Sequence, residues 1–570
     1  MKNIIISTLT ALFILSNVSC EDFLDKVPQA VGSSELLVGA EEIDKMVIAA
    51  YSALGNDNYQ RGINAMWLYG DLRSGDSHKG GAGTGDMGDW NLFETFVYMR
   101  DNVGYLDAKW YEMYINIARV NDALARVNAY EGADLDKKTR QAELRFLRGH
   151  FYFELKTLFN RVPYIDENDK TEDYINISNV EYTSAELWKI IEDEFRYAAD
   201  NLPETQPELG RANRWQAKAY LAKTLLYSAY TQDENYTVTG IDNAKLQEVI
   251  SLCDQLGSKY SLAADFAENF LYEYENGSES VFAIQCSTND NTFKGRLDFG
   301  AMLNYPMGGG YGCCGFHQPT QNMVNAFRTE NGLPLFDTFN DVSLTSADDL
   351  KKYEVDPRLN HTVAIPGLPY KYQTSNIFAE GWLRDMGVYG QFMSLKEVVA
   401  VDCPCFVKFD PFMSSSKNRD VIRYDDVLLW KAEALIQLNR QDEALPLINS
   451  IRTRAANSTE RLVDIYNEKT GNFRTETYQP GVNCTWTKDY AWKALMFERR
   501  LEFSQEGYYF FDLVRWGIAD QVVNKYLDVE RTRRFFLSEA KFTKGRDEYL
   551  PIPLNQINFS KKLYKQNPGY

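Results

Sequence analysis

The sequence predicts a mostly α-helical protein built from helix pairs and interrupted by two loop-rich stretches. Three observations carry this. Apolar residues recur at helical spacing in several separate segments, and two of these segments join through a tight turn. Glycine, proline and aromatic residues crowd two other stretches, near 55–100 and 257–418. The 570 residues leave room for several globular units or one large repeat body. A 44% hydrophobic share beside 25% charged residues is ordinary for a chain that buries a core, which excludes bulk disorder.

The chain opens MKNIIISTLTALFILSNVSC, with Lys2 as a positive n-region and Ile4 to Leu15 as a largely apolar run. That run has the length of a secretory h-region and falls short of the approximately 20 residues needed to cross a bilayer. Residues 1–19 read as a lipoprotein signal peptide, with Cys20 as the acylated first residue and 20–570 as one body. Ser19 is suitably small, whereas Asn17 stands where such signals usually carry Leu. Several acyl chains anchor firmly, at about 0.8 kcal/mol per buried methylene. No other stretch approaches a transmembrane length, so membrane contact is expected through the lipid alone.

Further along, NDNYQRGINAMWLYG and HKGGAGTGDMGDW mark the first loop-rich stretch, and Trp67 in its apolar run reads as core. Helical patterns follow near 104–130, 184–201, 211–231 and 490–506. In DKKTRQAELRFLRGHFYFELKTLFN, Leu144, Leu147, Phe151, Leu155 and Leu158 form one stripe, and Pro163 closes the segment. In RYDDVLLWKAEALIQLN the stripe is Tyr424, Val427/Leu428, Lys431, Leu435 and Leu438. DEALPLINSIRTRA follows after a short N-R-Q turn. Together these two match the size of a tetratricopeptide helix pair, and Ala432, Ala434 and Ala444 allow close approach. One pair cannot bury its face alone, so stacking on neighbours is expected. Between 257 and 418, SVFAIQ reads as a strand and NYPMGGGYGCCGFHQP as irregular loop.

A net charge of −19 with no basic run excludes nucleic acid as a partner. Four histidines, with no HExxH, P-loop or GxSxG, argue against the common hydrolases, although a glycosidase needs only two carboxylates. If Cys20 is acylated, an odd number of cysteines remains: Cys253, Cys286, Cys313, Cys314, Cys403, Cys405 and Cys484. At least one thiol is then unpaired. A zinc set from Cys313, Cys314, Cys403 and Cys405 lacks zinc-knuckle spacing. The acidic run 166–173 lacks the glycine of an EF-hand loop and reads as a solvated turn. No cofactor or metal is expected.

Six blocks resemble the SusD/RagB family, in the family's order. They are EDFLDKVPQ, AELRFLRGHFYFELKTLFNRVPYI, RANRWQAKAYLAKTLLY, DPRLNHT, FERRLEFSQEGYYFFDLVRWG and YLPIPLNQINFSKKLYKQNPGY. Glu21 and Asp22 resemble the acidic surface-export tag of Bacteroidetes lipoproteins. The resemblance implies a fold of tetratricopeptide-like helix pairs packed against a loop-rich lobe. It implies a lipid-anchored protein of the outer membrane, facing the exterior, that binds oligosaccharide or polysaccharide. Its partner would be a SusC-like TonB-dependent transporter, which it serves as a lid without being an enzyme. The overall likeness suggests the member serving a fructan locus. A peptide-binding scaffold of the same family and a glycoside hydrolase are the alternatives.

Candidate site residues follow from loop context and from sugar recognition by aromatic faces with a few polar groups. Trp90 in GDMGDWN is the first stacking candidate, with Asp86 and Asp89 for hydroxyls; the competing reading places Trp90 in the core as a cap on the following helix. GGGYGCCGF offers Tyr311 and Phe316, with Cys313 and Cys314 read as two separate thiols, as partners elsewhere, or as a vicinal disulfide. AEGWLRDMGVYG places Trp382, Arg384 and Tyr389 within eight residues, and Asp57 and Asn58 add hydroxyl contacts. In ERRLEFSQEGYYFFDLVRW, Glu498, Arg499, Arg500 and Glu502 read as an ion-pair network and Phe511, Leu513 and Trp516 as core anchors. Asp512 and Arg515 are spaced to pair at i,i+3.

Overall fold

Several of the long helices start where a capping side chain satisfies the first free amides. The computed structural model describes residues 39–55, 66–291 and 295–570. Helix α1 (Ala40–Tyr51) is followed by α2 (Gly104–Ala129), α3 (Lys137–Phe159), α4 (Ser184–Asn201), α5 (Arg214–Ser228) and α6 (Asn243–Leu256). Asp136 and Asp242 cap α3 and α6, and Thr183–Glu186 and Asn213–Gln216 form capping boxes on α4 and α5. Such caps are worth about 0.5–2 kcal/mol each. Asn160, at φ 60°, ends α3 ahead of Pro163.

The helices pack in chain order: α2 on α3, α3 on α4, α4 on α5, α5 on α6, with α1 laid across α2 and α3. The row continues through α7 (Tyr424–Gln437), which packs on α6, and α8 (Gln441–Asn457) and α9 (Lys488–Phe503), which pack on α7. The fold is mostly α, as the sequence predicts. Leu144, Leu147, Phe151, Leu155 and Leu158 are fully buried, and so are Ala432, Ala434 and Ala444. The stripe expected on α7 is displaced: Val427 and Leu435 are buried, but Tyr424, Leu428, Lys431 and Leu438 are only partly so. Leu429, Trp430 and Ile436 are also buried, because α5, α6, α8 and α9 surround this helix. Lys431, at the edge, pairs with Asp254 of α6.

Between α6 and α7 the chain builds a loop-rich lobe. Its ends meet in a ribbon of β2 (Ser280–Ile284) and β4 (Arg419–Arg423), antiparallel with Arg419 opposite Ile284 and Arg423 opposite Ser280. A second ribbon joins β1 (Ser77–Gly80) to β3 (Phe316–Pro319), with Ser77 opposite Pro319. It ties the early loop stretch to the lobe. Two satellite cores fill the lobe, one around Met323, Phe327, Leu359 and Phe392, the other around Tyr305, Tyr311, Tyr370 and Met413.

The charged motif on α9 forms ion pairs, but with other elements and not within itself. Glu498 meets Arg358 at 2.6 Å and Arg452 at 3.0 Å. Arg499 meets Asp426 and Asp512, and Arg500 meets Asp76. Helix α10 (Tyr509–Arg515) carries the expected Asp512–Arg515 pair at 2.8 Å, and Phe511, Leu513 and Trp516 are buried. No helix among the described residues is long and apolar enough to cross a membrane.

Glu433 of α7 is the hub of one buried cluster. It accepts from Arg515 Nη2 at 2.7 Å, Tyr230 Oη at 2.6 Å and Trp516 Nε1 at 3.1 Å. Truncating one member of a buried pair leaves the other charge stranded, at about 3–5 kcal/mol. Glu433→Ala should therefore destabilise the protein by about that amount in urea or guanidinium titrations, and a surface control such as Glu443→Ala should not.

Candidate functional site

The β1–β3 ribbon is the floor from which three loops rise. Beyond β1 the chain turns through Gly80, Gly81 and Gly83, all at φ near +80°, a conformation that favours glycine. Buried Lys79 gathers this loop: its Nζ donates to the carbonyls of Gly80 and Gly83, each at 3.0 Å, and to that of Asp86. The ammonium also lies 5.3 Å from the Phe316 ring and 5.2 Å from the Tyr389 ring. Burial pushes the Lys79 ammonium down to about 8.

At the mouth, Arg384 Nη1 lies 2.7 Å from Asp86 Oδ2 and donates to the Cys314 carbonyl at 3.3 Å. Asp86 Oδ2 also accepts from Ala82 N at 3.0 Å. Both heads are roughly 30% exposed, and an ion pair so accessible is worth only about 0–1 kcal/mol. Hydroxyl groups can therefore compete for either partner. Beside it the Trp382 indole lies on the backbone of Gly308 and Gly309. A Cβ at Gly308 would stand 2.2 Å from Trp382 Cδ1, and one at Gly309 2.3 Å from Cη2. Tyr370 and Phe378 hold the indole from below, each ring centroid 5.5 Å away.

Asp86, Cys313, Cys314, Trp382 and Arg384 are thus brought together from segments far apart in sequence. Cys313 and Cys314 are joined in a vicinal disulfide, so the separate-thiol reading is corrected; Cys314 is buried and Cys313 partly exposed. Cys403 and Cys405 form a second disulfide, which ends any zinc set of these four, and Cys253, Cys286 and Cys484 are free.

Phe316 is 2% exposed, and three further stacking candidates are not exposed either. Trp90 is 3% exposed, boxed by Trp67, Tyr105 and Phe316 with ring centroids 5.3–5.4 Å away. The turn Gly88–Asn91 leaves the glycines outside and drives the indole inward. Tyr311 is 1% exposed in the lobe core, where its hydroxyl donates to the Val399 carbonyl at 2.9 Å. Tyr389 is 1% exposed between Lys79, His78 and Phe536. All three support the face from beneath. Trp67 is core, as expected, stacked on His317 at 4.7 Å. Cys20, Asp57 and Asn58 lie outside the described residues. In the acidic run, Asp166 and Asp169 are engaged in turn hydrogen bonds.

Sequence reasoning missed Lys79, His78 and Phe535. Phe535, 90% exposed, follows α11 (Ala519–Glu530), and its neighbour Phe536 packs on Tyr389 at 5.4 Å. The paired phenylalanines in RTRRFFLSEA are the signal: one anchors while the other is left in water.

A helical-repeat frame that carries its candidate binding face on inserted loops is the class of protein this architecture defines. The chain belongs to the SusD family, whose model matches residues 278–570. A second model, described as starch-binding associating with outer membrane, matches residues 22–226. SusD-like protein P25 of Formosa agariphila is 24% identical over 598 residues, covering 100% of this chain and 99% of the relative. The starch-binding protein SusD of Bacteroides thetaiotaomicron is 25% identical, over 77% of this chain and 74% of that one. The fold matches surface glycan-binding protein A from Bacteroides thetaiotaomicron, solved in complex with laminarihexaose. The TM-score is 0.64 at 20% identity, over 92% of this chain and 99% of that one.

The seat of Trp382 gives a direct test. At φ +65° and with the indole in contact, Gly309→Ala adds backbone strain and a clash, together costing about 1–3 kcal/mol. It should lower the thermal midpoint and shift the Trp382 fluorescence to the red, the latter isolated by subtracting the same substitution made in a Trp382→Phe background.

Proposed function

We propose that the face formed by Trp382, Arg384, Asp86, the Cys313–Cys314 disulfide and Phe535 captures a neutral oligosaccharide or polysaccharide without cleaving it. The observation that carries this reading is the pairing of a partly exposed indole on a rigid glycine seat with an exposed guanidinium–carboxylate pair. A sugar ring presents C–H surface to the first and hydroxyls to the second. The relatives support it, since one is named for starch binding and a structural neighbour holds laminarihexaose. Nothing in the face selects a fructan over a glucan.

The same reading makes the chain one body after cleavage of residues 1–19, held at the outer membrane by lipid on Cys20 and facing the exterior. It would deliver its glycan to a SusC-like TonB-dependent transporter and close over it as a lid, with TonB supplying the energy. Deleting the transporter should leave glycan binding intact and abolish uptake.

The test of capture is affinity electrophoresis and calorimetry of the purified protein against starch, laminarin and levan. Retardation by one polysaccharide, with no reducing ends released, is expected. Trp382→Ala and Arg384→Ala should each weaken it roughly tenfold, about 1.4 kcal/mol. Release of product would convert the reading to a hydrolase. Binding of no glycan, with peptide retained instead, would convert it to a peptide scaffold.

A further inference from the structure

We propose that His78 is a positioning residue that locks together the two loops flanking the candidate face, an inference that rests on the glycan-capture reading for its binding arm only. His78 lies on β1 with no exposure to solvent. Its Nδ1 is 2.9 Å from Glu94 Oε2, and its Nε2 is 3.6 Å from Glu530 Oε1, an ion contact longer than a hydrogen bond.

The two carboxylates belong to the two sides of the face. Glu94 Oε1 accepts from the backbone amide of Lys79 at 2.6 Å, at the base of the loop that ends in Asp86. Glu530 is the last residue of α11, and the next turn carries Phe535. Glu530 also meets Arg533 at 3.1 Å and Arg534 at 3.8 Å. The Phe536 ring stands 5.6 Å from the imidazole and Tyr389 6.1 Å. One buried imidazole thus stands between a carboxylate on each flank.

Glu94 from the segment after the glycine loop, Glu530 from the end of α11 and Tyr389 from the lobe face His78, with Lys79 its chain neighbour; Arg533 and Arg534 pair with Glu530, and Tyr526 of α11 lies near both carboxylates. Burial by itself disfavours the imidazolium, but the two carboxylates outweigh it and hold His78 above its ordinary value. His317 on the partner strand behaves oppositely: burial brings it down to about 4, leaving a neutral ring stacked on Trp67. Because the folded value of His78 is raised, its clamp is complete below about 6.5 and is lost as pH rises through the folded value.

The experiment is amide hydrogen exchange by mass spectrometry on the full chain from pH 6 upward, corrected for the intrinsic base-catalysed rate, with circular dichroism to confirm folding. In the wild type, segments 81–92 and 531–537 should be protected at pH 6 and should lose protection together as pH rises. His78→Gln should reduce protection in both segments about tenfold at pH 6 and flatten the pH profile, with α2 to α5 unchanged. A flat wild-type profile, or a variant that exchanges like the wild type, overturns the proposal. If His78→Gln fails to fold, Glu530→Gln, which keeps the shape and removes one anion, is scored by the same criteria. In the binding arm, laminarin retardation at pH 6 should weaken about tenfold in the variant, and unchanged retardation counts against a positioning role. A wild type that binds no glycan defeats the capture reading alone, because the exchange measurements still decide the clamp.

Discussion

A buried lattice of arginines and carboxylates joins the helical frame to the inserted lobe, and the way the two meet follows from it. Arg358 of the lobe meets Glu498 and Glu502 of α9, at 2.6 and 2.7 Å. Arg454 of α8 reaches Glu502 and, at 2.8 Å, Glu279 at the root of the β2–β4 ribbon. Arg423 closes the ribbon onto Asp425 and Glu506. Glu279, Asp425 and Glu502 converge within 4.8 Å of one another, an arrangement that resembles a metal site until the interleaved guanidinium groups are counted. Burial pushes Asp425 up despite Arg423, while the arginines around Glu502 overcome burial and hold it down. A lattice of this kind contributes little net stability over apolar packing of the same volume. What it contributes is direction, since bidentate arginines fix angles that methyl groups do not.

That direction is transmitted to the candidate face along α9. Arg500 holds Asp76 through Nε and Nη2, and Gln505 donates to the Asp76 carbonyl and to Ser77 Oγ. Gly507 N donates to Asp71, whose other oxygen meets His317. The backbones there are so close that a Cβ on Gly70 would stand 1.9 Å from the Gly507 carbonyl oxygen. The strand that bears His78 and Lys79 is therefore fixed to the frame before any loop begins. Small shifts in the lattice would be read out as shifts in the loops.

The frame was legible because its signal is periodic. Leu144 to Leu158 announce one face of α3, and the alanines of α7 and α8 announce a tight pair. The α7 stripe misled because a helix surrounded by others buries polar residues too, here Asp425, Asp426 and Glu433, and Trp430 looks like any exposed tryptophan in a list of spacings. The lobe offered loop chemistry without contacts. Asp86 and Arg384 are separated by 298 positions, and nothing local says that they meet. Trp90 misled for a related reason: glycines and acids surround it in sequence, yet Gly88–Asn91 is a turn that sends polar neighbours outward and the ring inward. Ion pairing of the α9 motif was legible as a tendency, but most of its partners were not, since Asp76, Arg358, Asp426, Arg452 and Arg454 lie far away in sequence and only Asp512 is local.

The unusual load of 36 Tyr, 32 Phe and 10 Trp resolves along the same line. Trp67, Trp90, Tyr311, Phe316 and Tyr389 are buried and build a stiff floor, whereas Trp382 and Phe535 keep surface in water. A weakly binding class of ligand gains most from such an arrangement. Neutral sugars offer no charge to steer them and few strong contacts, so affinity depends on not having to order the site at the moment of binding. Aromatic floors supply that rigidity at low entropic cost, because each ring fixes only two side-chain torsions. On the proposed reading the Asp86–Arg384 pair, accessible and worth only about 0–1 kcal/mol, is the contact of the face that hydroxyl groups would exchange for, above a floor of buried rings.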